Sequence, residues 1–151
     1  MTADDVSEVV RIIRLHDDDD ARHARRYFLE GPAFDDRPEH GHLVVEDPED
    51  SAVVGVSGWN ADRGEGEGVF WLGWTYINPW KEGLGAGRML LHAVLDRVRE
   101  LGGRKMFLDT SSLPKYERAV RFYERNGFEQ EGRLRDYYGP GDDQILMGLA
   151  L

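Results

Sequence analysis

The feature that most constrains this chain is a glycine-rich loop at residues 83–87. Gly83, Gly85 and Gly87 occupy alternate positions, directly after an apolar run and directly before a helical pattern. Glycine lets a backbone turn tightly and approach a ligand closely. The helix that follows adds unpaired N–H groups and the positive end of its dipole, which together favour a bound anion. We therefore expect a site for a phosphate-bearing cofactor here; the alternative is an ordinary turn between a strand and a helix.

Two common phosphate-binding motifs do not fit this loop. A P-loop closes with Gly-Lys-Ser/Thr, whereas Gly87 is followed by Arg88 and Met89. A dinucleotide-binding loop requires Gly-x-Gly-x-x-Gly, and here the third glycine comes one residue too early. The loop must therefore hold a phosphate by another arrangement.

A second motif lies at residues 119–128, Ala-Val-Arg-Phe-Tyr-Glu-Arg-Asn-Gly-Phe, and predicts a helix end, a glycine cap and the start of a strand. With this motif beside the loop, the chain resembles the GNAT superfamily of acyl-CoA-dependent N-acyltransferases. The family's cofactor motif is an apolar residue, any residue and proline, followed by Arg/Gln-x-x-Gly-x-Gly/Ala. Residues 77–79 and 82–87 fall on it with that spacing, and residues 119–128 match the family's later motif throughout.

The resemblance implies a single domain over residues 1–151, of mixed α/β (α+β) class. Its central sheet would be mixed but mostly antiparallel, splayed at the cofactor site and flanked by about four helices. Family members usually open with a short strand before the first helix, whereas Thr2 and Asp5 here predict a capped helix almost from Met1. Either the edge strand is absent, or the start of this sequence lies a few residues too late.

Periodicity places the individual elements. Helices are predicted with apolar stripes at Val6, Val9, Val10 and Ile13; at Ala21, Ala24, Tyr27 and Phe28; and at Ala86, Leu90, Ala93, Val94, Val98 and Leu101 within 85–101, with a last helix at 116–126. Strands are predicted at 42–46, 52–59, 105–109, 128–134 and 144–149. Residues 69–77 are apolar on both faces and predict one long central strand.

The resemblance assigns acetyl-CoA as co-substrate. Thr75, Tyr76 and Ile77 would pair with its pantetheine arm, and an amide near Ile77 would polarise the thioester carbonyl as an oxyanion hole does. The phosphates would meet the backbone amides of Gly83, Leu84, Gly85, Ala86, Gly87 and Arg88. The side chains of Arg88 and Lys81 would add positive charge.

Tyr123 is the residue expected to act in catalysis. The family's tyrosine at this position protonates the departing thiolate, since a phenol with a pKa of about 10 can donate to a strongly basic sulfur. The alternative is an aromatic side chain packed beside Phe122. The general base stays open among Asp109, Ser111, Asp136, Asp142, Asp143, Glu46 and ordered water.

Two residues depart from the family pattern. Glu82 stands where relatives carry arginine or glutamine, which weakens a side-chain contact but leaves backbone binding intact. Tyr116 stands where relatives often place an asparagine that contacts the cofactor, which puts that contact in doubt.

The charge composition limits which binding partners and which solvent environment are expected. The chain has 29 acidic residues against 19 lysines and arginines, and its only lysines are Lys81, Lys105 and Lys115. This surface is typical of proteins from a saline cytoplasm, where salt screens self-repulsion; selection for a cationic substrate is the alternative. It argues against nucleic-acid binding, which requires a basic face.

The sequence also lacks long apolar runs, cysteines and a calcium-binding loop, which limits the class of protein it can be. No apolar run approaches the roughly 20 residues that cross a bilayer, so we expect no membrane association and a cytoplasmic protein. The absence of cysteine excludes disulfides and thiolate metal sites. The run Asp17–Asp20 lacks the turn glycine of a calcium loop and is expected to complement a helix dipole. No metal is expected.

The predicted function is transfer of an acetyl group to a primary amine of a small molecule, directly within a ternary complex, by a monomer or homodimer. Trp59, Trp71, Trp74 and Trp80 favour a small molecule if they wall one pocket; the alternative is ordinary sheet core. The acceptor would bind between loops at 31–41, 60–68 and 136–143. A protein N-terminus or lysine is the alternative acceptor, and a CoA-binding sensor without catalysis is the alternative of another class.

Overall fold

The computed structural model describes residues 1–31, 34, 37–61, 64 and 66–151. The helices in this part of the chain are α1 (Val6–Arg14), α2 (Asp18–Glu30), α3 (Ala86–Glu100) and α4 (Glu117–Arg125). The strands are β1 (His40–Glu46), β2 (Val53–Ala61), β3 (Val69–Leu72), β4 (Tyr76–Ile77), β5 (Lys105–Ser111), β6 (Glu129–Gly139) and β7 (Asp142–Ala150). Short 3-10 turns occupy Ala3–Asp5, Pro79–Lys81 and Pro114–Tyr116.

The strands form one sheet in the order β1-β2-β3-β5-β7-β6, and β4 pairs with β2 beside β3. Only the pair β3–β5 is parallel among the described strands, because α3 carries the chain across between them. The predicted mixed, mostly antiparallel sheet with about four flanking helices is confirmed.

Helices cover both faces of the sheet. The main core cluster joins apolar residues of α3 and α4 to β5 and β7, with Leu91, Val94, Val98 and Met106 fully buried. A second cluster joins α1 and α2 to β2, and all residues of the predicted α1 stripe are buried in it. One stripe residue of α3 was predicted wrongly: Ala93 is exposed, and Leu91 and Leu95 take its place. The buried face of α3 is therefore rotated slightly from the predicted one.

In the described part of the chain no strand precedes α1. The N–H of Thr2 donates to the Asp5 carboxylate at 2.6 Å, which is one half of the predicted capping arrangement. The Asp17 carboxylate caps α2 and accepts from the N–H groups of Asp19 and Asp20 at 2.9 and 3.1 Å. The aspartate run therefore begins a helix, as predicted.

The single long strand predicted at 69–77 is wrong. The segment divides into β3 and β4, separated by residues 73–75. Leu72 lies opposite Trp59 of β2, whereas Tyr76 lies opposite Val56, so this segment holds one more residue than β2 between the two pairings. Such an extra residue is a β-bulge, which bends a strand and increases its twist. Gly73, an isolated glycine within a strand pattern, is the sequence sign of this break.

Candidate active site

The bulge opens the sheet. β3 pairs with β5 through residues 69–71. Beyond the bulge, β4 still pairs with β2 but has no pairing with β5. A gap therefore lies between β4 and the second half of β5. This is the splay that the fold prediction placed at the cofactor site.

The backbone groups of Ile77 face this gap and are not used by β2. The N–H of Asn78 donates to the carbonyl of Val54 at 2.8 Å, so Asn78 faces β2. Backbone groups alternate in direction along an antiparallel strand, and those of Ile77 therefore point away from β2. By the same alternation, the backbone groups of Tyr76 point toward β2. Ile77 is therefore the β4 residue able to pair with an extended ligand.

His16 already contacts this edge, a contact that no sequence pattern predicted. Its Nε2 lies 2.7 Å from the carbonyl oxygen of Ile77, so this nitrogen is the donor. The imidazole also lies 5.1 Å from the ring of Tyr76. No motif marks His16, which simply precedes the aspartate run. A carbonyl has two lone pairs, so the Ile77 oxygen can accept from a ligand as well.

The end of α4 fixes Tyr123. Gly127 has a φ of +90° and ends the helix, and the N–H of Phe128 returns to the carbonyl of Tyr123 at 3.1 Å, as in a Schellman cap. The ring of Tyr123 lies 5.3 Å from Phe122 and 5.5 Å from Phe128, edge to face in both cases. With 9% exposure, Tyr123 is fixed within the main core cluster.

Burial raises the pKa of the Tyr123 phenol to about 12, and the Thr75 side chain has a smaller, opposite effect that lowers the pKa. Thr75 itself lies in the bulge, where its Oγ1 is 2.8 Å from Ser57 Oγ and 3.1 Å from the carbonyl of Gly73.

The glycine loop has the geometry of a cradle. Gly83 and Gly85 have φ values of +80° and +86°, which disfavour side chains, and Gly85 is the N-cap of α3. The first helical hydrogen bond of α3 runs from the N–H of Met89 to the carbonyl of Gly85 at 3.0 Å, so the preceding amides have no helical partner. Leu84 is 77% exposed, and a shallow depression of about 340 Å³ beside the loop is lined by Gly85, Arg88, Met89 and His92.

Gly87 tests whether this region fits the cofactor. A Cβ at Gly87 would lie 3.4 Å from Ile77 Cγ1 and 3.8 Å from the Phe122 ring. The missing side chain therefore leaves space between the start of α3, β4 and α4. That space, together with the free amides and the splay, fits an extended ligand that carries phosphates at one end.

Ion pairs surround the loop. Lys81 Nζ lies 2.6 Å from the Asp47 carboxylate, which raises the pKa of Lys81 and occupies the charge predicted to assist the cofactor. Glu82 lies 2.5 Å from Arg118 Nη1 at the start of α4. The loop thus carries a carboxylate where the family pattern has arginine or glutamine, and α4 supplies an arginine against it.

Two tyrosine hydroxyls near the splay bind aspartates of the α2 start. Tyr76 donates to Asp20 at 2.5 Å, and Tyr116 donates to Asp17 at 3.3 Å. Lys115 Nζ lies 3.5 Å from the same Asp17 carboxylate. The hydroxyl at position 116, where relatives carry asparagine, is therefore directed at α2.

The carboxylates named as general bases differ in their surroundings. Asp136 accepts from the N–H of Gly141 at 2.7 Å, and Asp143 pairs with Arg133 at 2.5 Å, so both organise the β6–β7 hairpin. Ser111 Oγ donates to Asp142 at 2.5 Å. Asp109 is exposed and accepts hydrogen bonds from Tyr138 at 2.5 Å and Gln144 at 2.9 Å. Glu46 is exposed at the end of β1.

The four tryptophans do not wall one pocket, so that expectation is wrong. Trp59 is buried in the main core, and Trp80 is 73% exposed. Trp71 contacts Phe107, while Trp74 contacts Tyr27, Phe28 and His42. The predicted acceptor loops at 31–41 and 60–68 include residues 32–33, 35–36, 62–63 and 65, which lie outside the described residues.

No group of three or more histidines, aspartates and glutamates in the described part of the chain could hold a metal ion. None of the helices described combines the length and apolarity needed to cross a bilayer.

Comparisons with known proteins agree with this architecture. The profile of the Acetyltransferase (GNAT) family matches residues 8–128. A protein assigned to the GNAT family from Desulfovibrio desulfuricans is 30% identical, with a TM-score of 0.82 over 98% of this chain and 91% of that one. No curated protein matches the sequence.

Two more distant structures share the fold. An aminoglycoside 6'-N-acetyltransferase complexed with coenzyme A is 18% identical, with a TM-score of 0.71 over 98% of this chain and 89% of its own. The ribosomal-protein-S18-alanine N-acetyltransferase of Escherichia coli is 19% identical, with a TM-score of 0.61 over 74% and 69%. The chain belongs to the GNAT family of acetyltransferases.

Proposed function

We propose that this acetyltransferase moves the acetyl group of acetyl-CoA to a primary amine of a small molecule, directly within a ternary complex. One observation carries the proposal. The bulge opens the sheet beside the backbone groups of Ile77 that β2 does not use, and Gly87 at the start of α3 lies between Ile77 and Phe122 of α4. The gap and the glycine loop together fit an extended thioester that carries phosphates at one end, and the match of residues 119–128 to the family motif supports Tyr123 as the proton donor.

Each part of the chain then has one task. The amides at the start of α3 bind the phosphates, where the helix dipole favours negative charge. The Ile77 edge pairs with the pantetheine arm, and an amide of this segment polarises the thioester carbonyl. When the neutral amine attacks that carbonyl, the C–S bond breaks and Tyr123 gives its proton to the sulfur. The high pKa of Tyr123 keeps the phenol protonated at neutral pH.

A small molecule is favoured over a protein as the acceptor. The aminoglycoside acetyltransferase matches almost the whole of this chain, whereas the protein-alanine acetyltransferase matches about three-quarters of it. In addition, Trp74, next to Thr75, belongs to an aromatic cluster with Tyr27 and Phe28 on the α2 side. This cluster would offer an apolar wall to a compact acceptor.

The deciding experiment measures free thiol release from acetyl-CoA over panels of small amines, peptide N-termini and lysine peptides, at low and molar salt. Acetylated small amines, identified by mass, are the expected product. Transfer only to peptides would mean that the acceptor is a protein N-terminus or lysine and not a small molecule. Acetyl-CoA binding without thiol release on any panel would favour the sensor and reject catalysis.

A further inference from the structure

His16 lies between α1 and α2, beside the gap in the sheet. Its Nε2 lies 2.7 Å from the carbonyl oxygen of Ile77, the β4 residue whose backbone groups face the gap. The imidazole also lies 5.1 Å from the ring of Tyr76, tilted by 40° to it. Contacts with two successive residues of β4 therefore hold the ring at this edge, although His16 is exposed to solvent.

The hydrogen bond to Ile77 decides which ring nitrogen of His16 carries a proton. A carbonyl oxygen only accepts, so Nε2 is the donor. In a neutral imidazole the other nitrogen, Nδ1, then has no proton and presents a lone pair. No other hydrogen bond of this ring is found among the described residues. Nδ1 is therefore a basic nitrogen that is open to a ligand.

The carboxylates next to His16 are already engaged. Asp17 accepts from backbone amides at the start of α2 and lies 3.3 Å from the Tyr116 hydroxyl. Asp20 accepts from the Tyr76 hydroxyl at 2.5 Å. Tyr76 belongs to β4, whereas Tyr116 follows β5, so the start of α2 is attached to both sides of the gap. These carboxylates thus keep His16, which directly precedes them, at the gap.

We propose that His16 is the general base that takes a proton from the acceptor amine. An acetyl-CoA arm paired with Ile77 brings its thioester to the edge that His16 contacts, so an attacking amine meets the Nδ1 lone pair. This role rests on the proposed function.

The proton transfers balance across the reaction. As the amine nitrogen bonds to the carbonyl carbon, one of its N–H bonds breaks and the proton passes to Nδ1 of His16. The C–S bond then breaks, its electron pair goes to sulfur, and Tyr123 protonates the sulfur. The imidazolium afterwards gives its proton to water, and the phenolate regains one from water.

The contact with Ile77 suits a base that becomes charged. A histidine side chain is the one that ordinarily changes its charge between pH 5 and 8, so an imidazole can take up a proton near neutral pH. Once Nδ1 is protonated, the ring is a cation and its Nε2–H makes a charge-assisted hydrogen bond, which is stronger than one between neutral groups. The bond from His16 to Ile77 therefore strengthens as the proton is taken up.

The kinetic test compares His16→Gln and His16→Ala with the wild type on an amine that the wild type acetylates. Glutamine can still donate to the Ile77 carbonyl but has no basic nitrogen, so kcat should fall about 100-fold in both variants with little change in the KM for acetyl-CoA. His23→Gln, on the exposed side of α2, is the matched control and should keep the wild-type kcat. A near-native kcat in His16→Gln with a large loss in Asp109→Asn would overturn the proposal in favour of the carboxylate.

Rescue by small bases separates a chemical role from a structural one. Because His16 is exposed, a base from solution can reach the position emptied in His16→Ala. Added imidazole should raise the kcat of this variant about tenfold, and more basic methylated imidazoles should raise it further. The wild type and His23→Gln should not respond. A His16→Ala protein that keeps the wild-type melting temperature but responds to none of these bases would overturn the proposal.

A second measurement needs no turnover. Nitrogen-15 NMR of the free protein distinguishes the two neutral forms of a histidine ring, and comparison with His16→Gln assigns the signals of His16. The bond to Ile77 predicts a proton on Nε2 and none on Nδ1; a neutral ring with its proton on Nδ1 would overturn the proposal. A wild type that acetylates no amine would reject the proposed function and the base with it. An active wild type whose His16→Gln variant keeps full turnover would reject only the role of His16.

Discussion

Glu82 and Arg118 form an ion pair that joins the glycine loop to the start of α4, with 2.5 Å between the carboxylate and Nη1. The arginine side chain is 80% exposed, so it can turn from Glu82 to an incoming phosphate. The pair thus places a cation beside the loop proposed to bind the phosphates, but also a carboxylate that would repel them.

This arrangement predicts opposite effects of two variants on acetyl-CoA affinity. Glu82→Gln should tighten binding and Arg118→Gln should weaken it, each by about two- to fivefold at low salt, as expected for exposed charges. Glu117→Gln is the matched control, because Glu117 pairs with Arg121 within α4. Calorimetric titration measures all three. Weaker binding in Glu82→Gln would mean that the carboxylate itself supports the cofactor.

Gly87 provides a test of the cofactor path. Gly87→Ala replaces a helical glycine whose Cβ would meet ordinary van der Waals contact, so the melting temperature of the free protein should stay level or rise. The added methyl would occupy the space beside Ile77, and the rise in melting temperature caused by acetyl-CoA should shrink.

Gly85→Val is a less specific variant, because the φ of +86° strains any side chain whether or not a ligand binds. A Gly87→Ala protein with an unchanged acetyl-CoA shift would place the cofactor elsewhere.

Tyr123→Phe should lower kcat by about 100- to 10,000-fold, the usual contribution of a general acid, and leave the dissociation constant of acetyl-CoA unchanged. The ring contacts with Phe122 and Phe128 are kept in this variant. Steady-state kinetics and equilibrium binding separate the two quantities. Near-native turnover would mean that Tyr123 is a core residue with no catalytic role. Loss of acetyl-CoA binding would indicate that Tyr123 supports the structure of the site.

His42 makes stability depend on pH. Burial lowers the pKa of His42 from its ordinary 6.5 to about 4, and its Nδ1 has no hydrogen-bond partner among the described residues. Between these values the unfolded chain binds a proton that the folded chain does not, so unfolding becomes easier as pH falls from 6.5 to 4. The loss should reach roughly 3 kcal/mol.

His42→Phe should flatten this part of the stability profile, because a phenyl ring can pack against Phe28 and Trp74 without titrating. Chemical denaturation at several pH values measures the effect, with His23→Phe on the exposed side of α2 as the control. An equal slope in His42→Phe and wild type would assign the acid sensitivity to other groups.

Salt should stabilise the fold. The formal charge of −10 creates self-repulsion, and at about 1 M salt the Debye length falls to roughly 3 Å. The melting temperature should therefore rise from low to molar salt. A melting temperature that stays flat or falls would contradict the interpretation of the acidic surface as an adaptation to a saline cytoplasm.

Local motifs in the sequence predicted the parts of the site that depend on local geometry. Gly127 and Phe128 indicated the helix end that fixes Tyr123, and the alternate glycines indicated the turn into α3, because both depend on backbone conformations that few residues adopt. The break between β3 and β4 was implied by the family resemblance, which predicts a splay, but the periodicity missed it because apolar residues on both faces of 69–77 outweighed Gly73.

Contacts between distant segments were not predictable. His16 on Ile77, Ser57 on Thr75 and Arg118 on Glu82 each join positions far apart in the chain, and no periodicity relates them. Trp71 and Trp74 illustrate the same limit, because alternation decides which face of the sheet a residue occupies and the bulge changes that alternation between them.

The open edge of β4 also bears on self-association. Unpaired strand edges are templates on which other chains can add a strand. Here the edge is only two residues long, with the bulge before it and Pro79, which has no N–H to donate, shortly after it. His16 occupies one of its acceptors. An edge this short offers little to intermolecular β-pairing, so the break proposed to admit a slender extended ligand should not also expose the middle of the sheet to aggregation.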